Sequence, residues 1–262
     1  MQGINAKVRK NPKKVIFAEG EDENMLKAAV EFGKNKLGIP ILIGAENRIK
    51  EQLKKIGLDE NHKIEIVNST DKEKRQKYVK HLYKRLQREG QLERDVDRLV
   101  RNDRIAWGAS MIACKDADAM VTGNIRHYTA SIEKLKKVVD PRPGEELFGM
   151  TMINSKGKTI LVADTNVQDF PSAQRLVNVS KSCVRVARLF GFDPKVAFLS
   201  HSTFGNPISK NTKHVRDAIE LLKKESVDFD FDGEMQPDVA LNPIYQETSV
   251  SYTHLRAHET RH

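Results

Sequence analysis

Residues 196–207 read VAFLSHSTFGNP, an apolar run that stops abruptly at two hydroxyl residues, a glycine and a proline. A helical pattern resumes from about Ser209, with Val215, Ala218, Ile219 and Leu222 spaced for one buried face. A short β-branched run followed by a turn and an amphipathic helix is one step of an α/β chain. The step recurs outward in both directions. KVIFA (14–18) precedes DENMLKAAVEFGKNK, GIPILIGA (38–45) precedes NRIKEQLKKIG, and IEIV (64–67) precedes a long segment in which Tyr78, Val79, Leu82, Tyr83 and Leu86 form a stripe. DADAMVTG (116–123), LFGMTMIN (147–154) and KTILVADT (158–165) complete the strands, and SAQRLVNVSKSCVRVARLFG carries Leu176, Cys183, Val184, Ala187 and Phe190 on an inward face with Gly191 to end it. Such alternation predicts an α/β fold with mainly parallel sheets. The polar, proline-rich stretch VVDPRPGEEL marks a domain boundary, giving a first domain over 1–140 and a second over 141–245.

The bulk numbers narrow the function classes. The 262 residues suffice for one large or two modest domains, and 39% hydrophobic with 31% charged residues describes a globular chain. No apolar run reaches the roughly 18 residues of a membrane span, and the basic start MQGINAKVRKNPKK lacks the apolar segment of a secretory signal. Cys114 and Cys183 show no ligand spacing, as in a reduced cytoplasmic protein. The net charge of +9 is spread over helices that interleave lysine with glutamate, and aromatics are 6% of the chain. Without an arginine–aromatic patch it reads as a solvated surface suited to small anions, not as a nucleic-acid face.

After Tyr245 the chain changes character, and SYTHLRAHETRH resembles translated adapter sequence, so 246–262 are read as a non-native tail. His254, His258 and His262 lie at helical spacing, but that origin is preferred to a metal site. No G-x-G-x-x-G, H-E-x-x-H or G-x-S-x-G occurs. Gly157-Lys158-Thr159 imitates the end of a phosphate loop, yet Met152 stands at the first glycine position and a strand follows, so it is a hairpin turn.

In open α/β sheets, ligands sit beyond the carboxyl ends of strands. Two strand ends carry suitable groups: MVTGNIRH, with Thr122, Gly123 and Arg126, and LSHSTFGNP, with Ser202, Thr203 and Gly205. Hydroxyls and glycine-relaxed N–H groups hold anion oxygens; a helix-capping role explains Ser202 or Thr203 equally well. Asp164 orients a neighbour or caps a turn. His201 is a candidate base toward a thiol, and Asp232-Gly233-Glu234 is either a cleft group or an acidic turn. Cys183, Trp107 and Met111 are read as packing residues.

FAEGEDENMLKAA, DADAMVTG, VADTNVQDFPSAQRL, RLFGFDPKVAFLSHST and DFDGEMQPDVAL occur in the order and spacing of the phosphate acetyl/butyryltransferase family. With YKRLQREG, NDRIAWGASMI and VDFDFDGEM, the chain over about 10–245 most resembles the domain at the C-terminus of bacterial NADP-dependent malic enzymes. The resemblance implies a two-domain isocitrate/isopropylmalate dehydrogenase-like fold, truncated at its C-terminus, and a homo-oligomer. It implies acetyl-CoA or acetyl phosphate as ligand in a cleft containing Thr122, Gly123, Arg126, Asp164, Ser202, Thr203 and Gly205, with NADP and a divalent metal in an upstream domain. Three departures from transacetylases imply a binding domain without transferase activity. Glu133 stands where the family carries an arginine, Phe204 and Pro207 replace small or basic residues in the turn, and the Ser-Arg-Gly segment that supplies a catalytic arginine is absent. The alternative is a phosphate acetyltransferase, exchanging acetyl between acetyl phosphate and coenzyme A, interrupted before that segment.

Overall fold

The computed structural model describes residues 2–58, 64–155, 157–165, 167, 170–207 and 209–249. The chain divides into two compact units, Met1–Asp140 and Pro141–His262.

In the first unit, α1 (Gln2–Lys10) leads into β1 (Lys13–Phe17), α2 (Glu23–Lys34), β2 (Gly38–Ile43), α3 (Glu46–Lys55) and β3 (Glu65–Val67). Then come α4 (Lys72–Leu86), α5 (Glu93–Asn102), α6 (Arg104–Ala113), β4 (Ala119–Val121) and α7 (Tyr128–Val138). The sheet order is β3-β2-β1-β4, with every pair parallel. Because helices cover both faces, the strands are apolar on both. Ile16, Ala18, Ile41 and Ile43 pack with Tyr78, Leu82 and Trp107, while Phe17 and Leu42 pack with Leu26, Ile49 and Leu53. The predicted stripe is the buried side of α4, except that Tyr83 is only partly covered. Trp107 is fully buried, edge-on to the Tyr78 ring at 5.0 Å, and Met111 is buried as well. Strand order reverses between β1 and β4, so the carboxyl ends of these two strands form a topological switch point.

In the second unit, β5 (Met150–Ser155) and β6 (Lys158–Ala163) pair antiparallel. With Ser155 opposite Lys158, the connection around Gly157 is too short for a crossover, which forces a hairpin. α8 (Ala173–Leu189), β7 (Val196–Leu199), α9 (Lys213–Lys224), β8 (Phe231–Met235) and α10 (Pro237–Leu241) follow. β7 and β8 are parallel, and Val177, Phe198, Val215, Ala218, Ile219 and Leu222 form the core. On α8, Val184 and Ala187 are buried as expected, whereas Leu176, Cys183 and Phe190 are half-buried. Residues 243–249 are helical, running past Tyr245. His254, His258 and His262 lie outside the described residues. Among the described residues no helix is long and apolar enough to cross a membrane.

Candidate functional site

At the switch point of the first unit, the chain leaves β1 through Ala18-Glu19-Gly20. Ala18 N donates to Val121 O at 3.0 Å and Gly20 N to Ile43 O at 3.2 Å, which continues the ladder on both sides. Glu19 is 1% exposed. Its Oε1 accepts from Thr122 Oγ1 and from Gly123 N, each at 3.0 Å. The hydroxyl and N–H expected to face an external anion are therefore engaged by a carboxylate of the chain itself. Glu19 Oε2 is buried and has no partner among the described residues.

Arg126 does not reach this turn. Its Nη1 donates to Asp103 Oδ2 at 3.0 Å, and Lys134 Nζ donates to the same oxygen. Asp103 also caps α6, with Oδ1 accepting from Ile105 N at 2.9 Å and Ala106 N at 3.1 Å. Burial pushes the Asp103 carboxyl up, but Lys134, the Ala106 N–H and Arg126 together hold it below the usual carboxylate range. Glu133 is exposed on α7.

The second unit repeats the arrangement at the ends of β7 and β8. Ser200 N donates to Met235 O at 3.0 Å and Phe204 N to Glu234 O at 2.7 Å, tying the turn to the neighbouring strand. Phe204 (φ 47°) and Gly205 (φ 82°) take consecutive left-handed conformations. This reverses the chain and turns the Gly205 N–H back toward β8; in phenylalanine it costs backbone strain. Glu234, 1% exposed, receives that N–H. Its Oε1 accepts from Ser202 Oγ at 2.6 Å, Arg216 Nη1 at 2.8 Å and Gly205 N at 3.2 Å, with Thr212 Oγ1 at 3.4 Å. Among the described residues Oε2, which is buried, has no partner. Ser202 is fully buried, and with its proton spent on Glu234, Ser200 Oγ is the donor in their 3.2 Å contact.

Thr203 is turned elsewhere: its Oγ1 accepts from Gln236 N at 3.2 Å. His201 is exposed, and its carbonyl accepts from Gln236 Nε2 at 2.7 Å. The glycine of Asp232-Gly233-Glu234 is required by close approach, since a Cβ there would lie 2.6 Å from Phe198 O. Asp232 is exposed, so only the second carboxylate of that triplet points inward.

Asp164, at the end of β6, accepts from Gly149 N at 2.8 Å and pairs with Arg175 Nη2 at 2.8 Å. Arg175 Nη1 donates to Glu146, and Nη2 also donates to Leu147 O at 2.6 Å. Burial disfavours the guanidinium charge, and the bonds and charges of Asp164 and Glu146 more than offset it, so the arginine holds its proton more firmly than usual. The sequence reading missed Arg175 and Arg216. Each lies in the first turn of its helix, where the macrodipole disfavours a cation. A basic residue so placed signals a carboxylate partner close by. Cys183 is half-buried, its Sγ 3.6 Å from Met150 Sδ, and burial pushes its thiol up.

These turns can be set against known proteins. The family model described as phosphate acetyl/butaryl transferase matches residues 1–257. An NADP-dependent malic enzyme of Rhizobium meliloti is 40% identical over 248 residues, covering 94% of this chain and 33% of that protein. A phosphate acetyltransferase of Bacillus subtilis is 27% identical over 245 residues, covering 93% of this chain and 75% of that protein. The solved EutD phosphotransacetylase from Staphylococcus aureus superposes with a TM-score of 0.80 at 26% identity, covering 95% of this chain and 76% of that one. The chain spans about a third of the length of the malic enzymes it matches. It belongs to the phosphate acetyl/butaryl transferase family.

Proposed function

We propose, from membership in that family, that this chain is the phosphotransacetylase-like part of a cytoplasmic NADP-dependent malic enzyme. In this reading it binds acetyl-CoA or acetyl phosphate as a regulatory ligand and contributes contacts to a homo-oligomer. The oxidative decarboxylation of malate to pyruvate and CO2, with its NADP and divalent metal, belongs to a segment upstream of this one. The fold would be the two-domain arrangement of isocitrate and isopropylmalate dehydrogenases. The observation that carries the reading is the match to the Rhizobium meliloti malic enzyme, which extends over nearly the whole of this chain.

Several features favour binding over transfer. Acetyl exchange needs a thiolate to attack the acetyl carbonyl carbon while phosphate departs, with cations or N–H groups on the departing charge. Here Arg126 is committed to Asp103, Glu133 brings a negative charge to the position of the family's arginine, and the Ser202 and Gly205 donors are engaged by Glu234. The second reading, a phosphate acetyltransferase, is favoured by the Bacillus subtilis relative, of which this chain covers the larger share.

Two assays on the intact native protein separate them. NADPH formation from malate is followed with and without acetyl-CoA, and thioester formation from acetyl phosphate and coenzyme A is followed by absorbance. The regulatory reading expects malate turnover that responds to acetyl-CoA and negligible thioester formation. Rapid thioester formation that is lost in the Ser202→Ala/Thr203→Ala variant would overturn it.

A further inference from the structure

The donors around Glu234 are those that bind a free oxyanion. A hydroxyl, a backbone N–H from a left-handed turn and a guanidinium converge on one point, Glu234 Oε1, at 2.6, 3.2 and 2.8 Å. What fills that point is a side chain from the neighbouring strand. It fills it poorly. Its other oxygen is buried with no partner among the described residues, and a buried carboxylate satisfied at one oxygen only is costly. Two of the three donors can be approached, while Ser202 lies buried behind Glu234. Arg216 keeps 36% of its side chain exposed, and a Cβ placed on Gly205 would meet nothing within 4 Å.

We propose that Glu234 is a resident stand-in for an external oxyanion, a phosphate or carboxylate group, which enters the Ser202–Gly205–Arg216 donor set only by displacing it. This rests on the reading that the turn meets an anionic metabolite, and adds how that metabolite gains entry. Two like charges cannot share one set of donors in a buried place. The carboxylate therefore excludes weak anions and admits a ligand whose remaining contacts compensate for moving Glu234 into water. The strained turn is held ready meanwhile, because its N–H is never without an acceptor.

The test is anion rescue in the full chain. Glu234→Ala empties the donor set, and Glu234→Gln removes the charge while keeping an acceptor. Thermal midpoints of wild type and both variants are compared in inorganic phosphate, in formate and in chloride at equal ionic strength. Glu234→Ala is expected to gain about 3 °C or more over wild type in the anion that fits. Calorimetry with that anion is expected to give affinity about tenfold tighter in Glu234→Gln than in wild type. A gain in phosphate alone identifies a phosphoryl ligand, a gain in formate alone a carboxylate ligand, and each supports displacement. The gain should disappear when Arg216→Ala is added.

Should Glu234→Ala not fold in chloride, its refolding yield in phosphate and in formate carries the same information. A variant response no greater than that of wild type, or refolding indifferent to the anion, overturns the inference. None of these measurements uses acetyl-CoA or malate turnover. An acetyl-CoA effect on the intact enzyme alongside absent rescue would sink displacement alone, and rescue without an acetyl-CoA effect would sink the regulatory reading alone.

Discussion

Replacing Arg175 by methionine removes one charge from a network whose members differ in access to water. The Arg175 side chain is 12% exposed, Asp164 is 5% exposed and Glu146 is 33% exposed. Methionine retains most of the buried apolar stem, so the loss is chiefly electrostatic. Asp164 would keep the Gly149 N–H and lose its cation. Breaking a buried ion pair from one side costs about 3–5 kcal/mol. Glu146 keeps the Asn178 amide at 2.7 Å and rehydrates, so its share is at most about 1 kcal/mol. For a unit of this size, a loss of roughly 3–6 kcal/mol corresponds to a midpoint lower by about 10–20 °C. Urea and thermal unfolding followed by circular dichroism would measure it for Arg175→Met, Asp164→Asn and the double variant. If the cost is a stranded buried carboxylate, the double variant recovers more than half of it. A single-variant loss below about 1 kcal/mol, or losses that simply add, would refute the reasoning.

Two further outcomes follow from the same contacts. The folded-state affinity of Asp103 for a proton is depressed by Lys134, Ala106 N–H and Arg126, so its contribution is full above its unfolded pKa of about 4 and fades as pH falls through the lower folded value. Asp103→Asn keeps the helix cap and should remove that part of the acid sensitivity, seen as a wild-type-minus-variant stability difference that shrinks on acidification. Gly205→Ala should lower stability by about 1 kcal/mol although nothing crowds the new methyl group, because φ there is 82°; an unchanged midpoint would contradict the assigned turn.

The elements were legible in the sequence because their causes are local. Short β-branched apolar runs gave the strands, period-3.6 spacing gave the α4 stripe, and the Gly157-Lys158-Thr159 turn running straight into a strand gave the hairpin. The turns too were visible as places rich in hydroxyls and glycines. What was not visible is which acceptor each donor meets. Glu19 meets Thr122 and Gly123 across 103 and 104 positions, and Glu234 meets Ser202 across 32. Those meetings depend on strand register, Phe17 beside Val121 and Phe198 beside Gly233, which packing fixes and local sequence does not. Arg126 illustrates the limit: adjacency to Thr122 and Gly123 suggested a shared task, but a buried helix cap at Asp103 is the stronger attractor.

The two buried glutamates explain why sequence segments far apart carry matching chemistry. Where parallel strands end, one contributes a hydroxyl and a glycine N–H and its neighbour contributes a carboxylate; FAEG answers MVTG, and DGEM answers STFG. Composition alone marks such a turn as a receiver of negative charge and is silent on whether the charge comes from within. Completeness separates the cases. A carboxylate retained for structure alone would be expected to satisfy both oxygens, since an unpaired buried acceptor forfeits about 1–3 kcal/mol. Here Oε2 is without a partner among the described residues in Glu19 and in Glu234 alike. Between the two, only Glu234 shares its acceptor oxygen with a partly exposed arginine, which gives an incoming anion a charge to meet before the carboxylate has moved. That asymmetry places the entry of an external anion at the turn of the second unit.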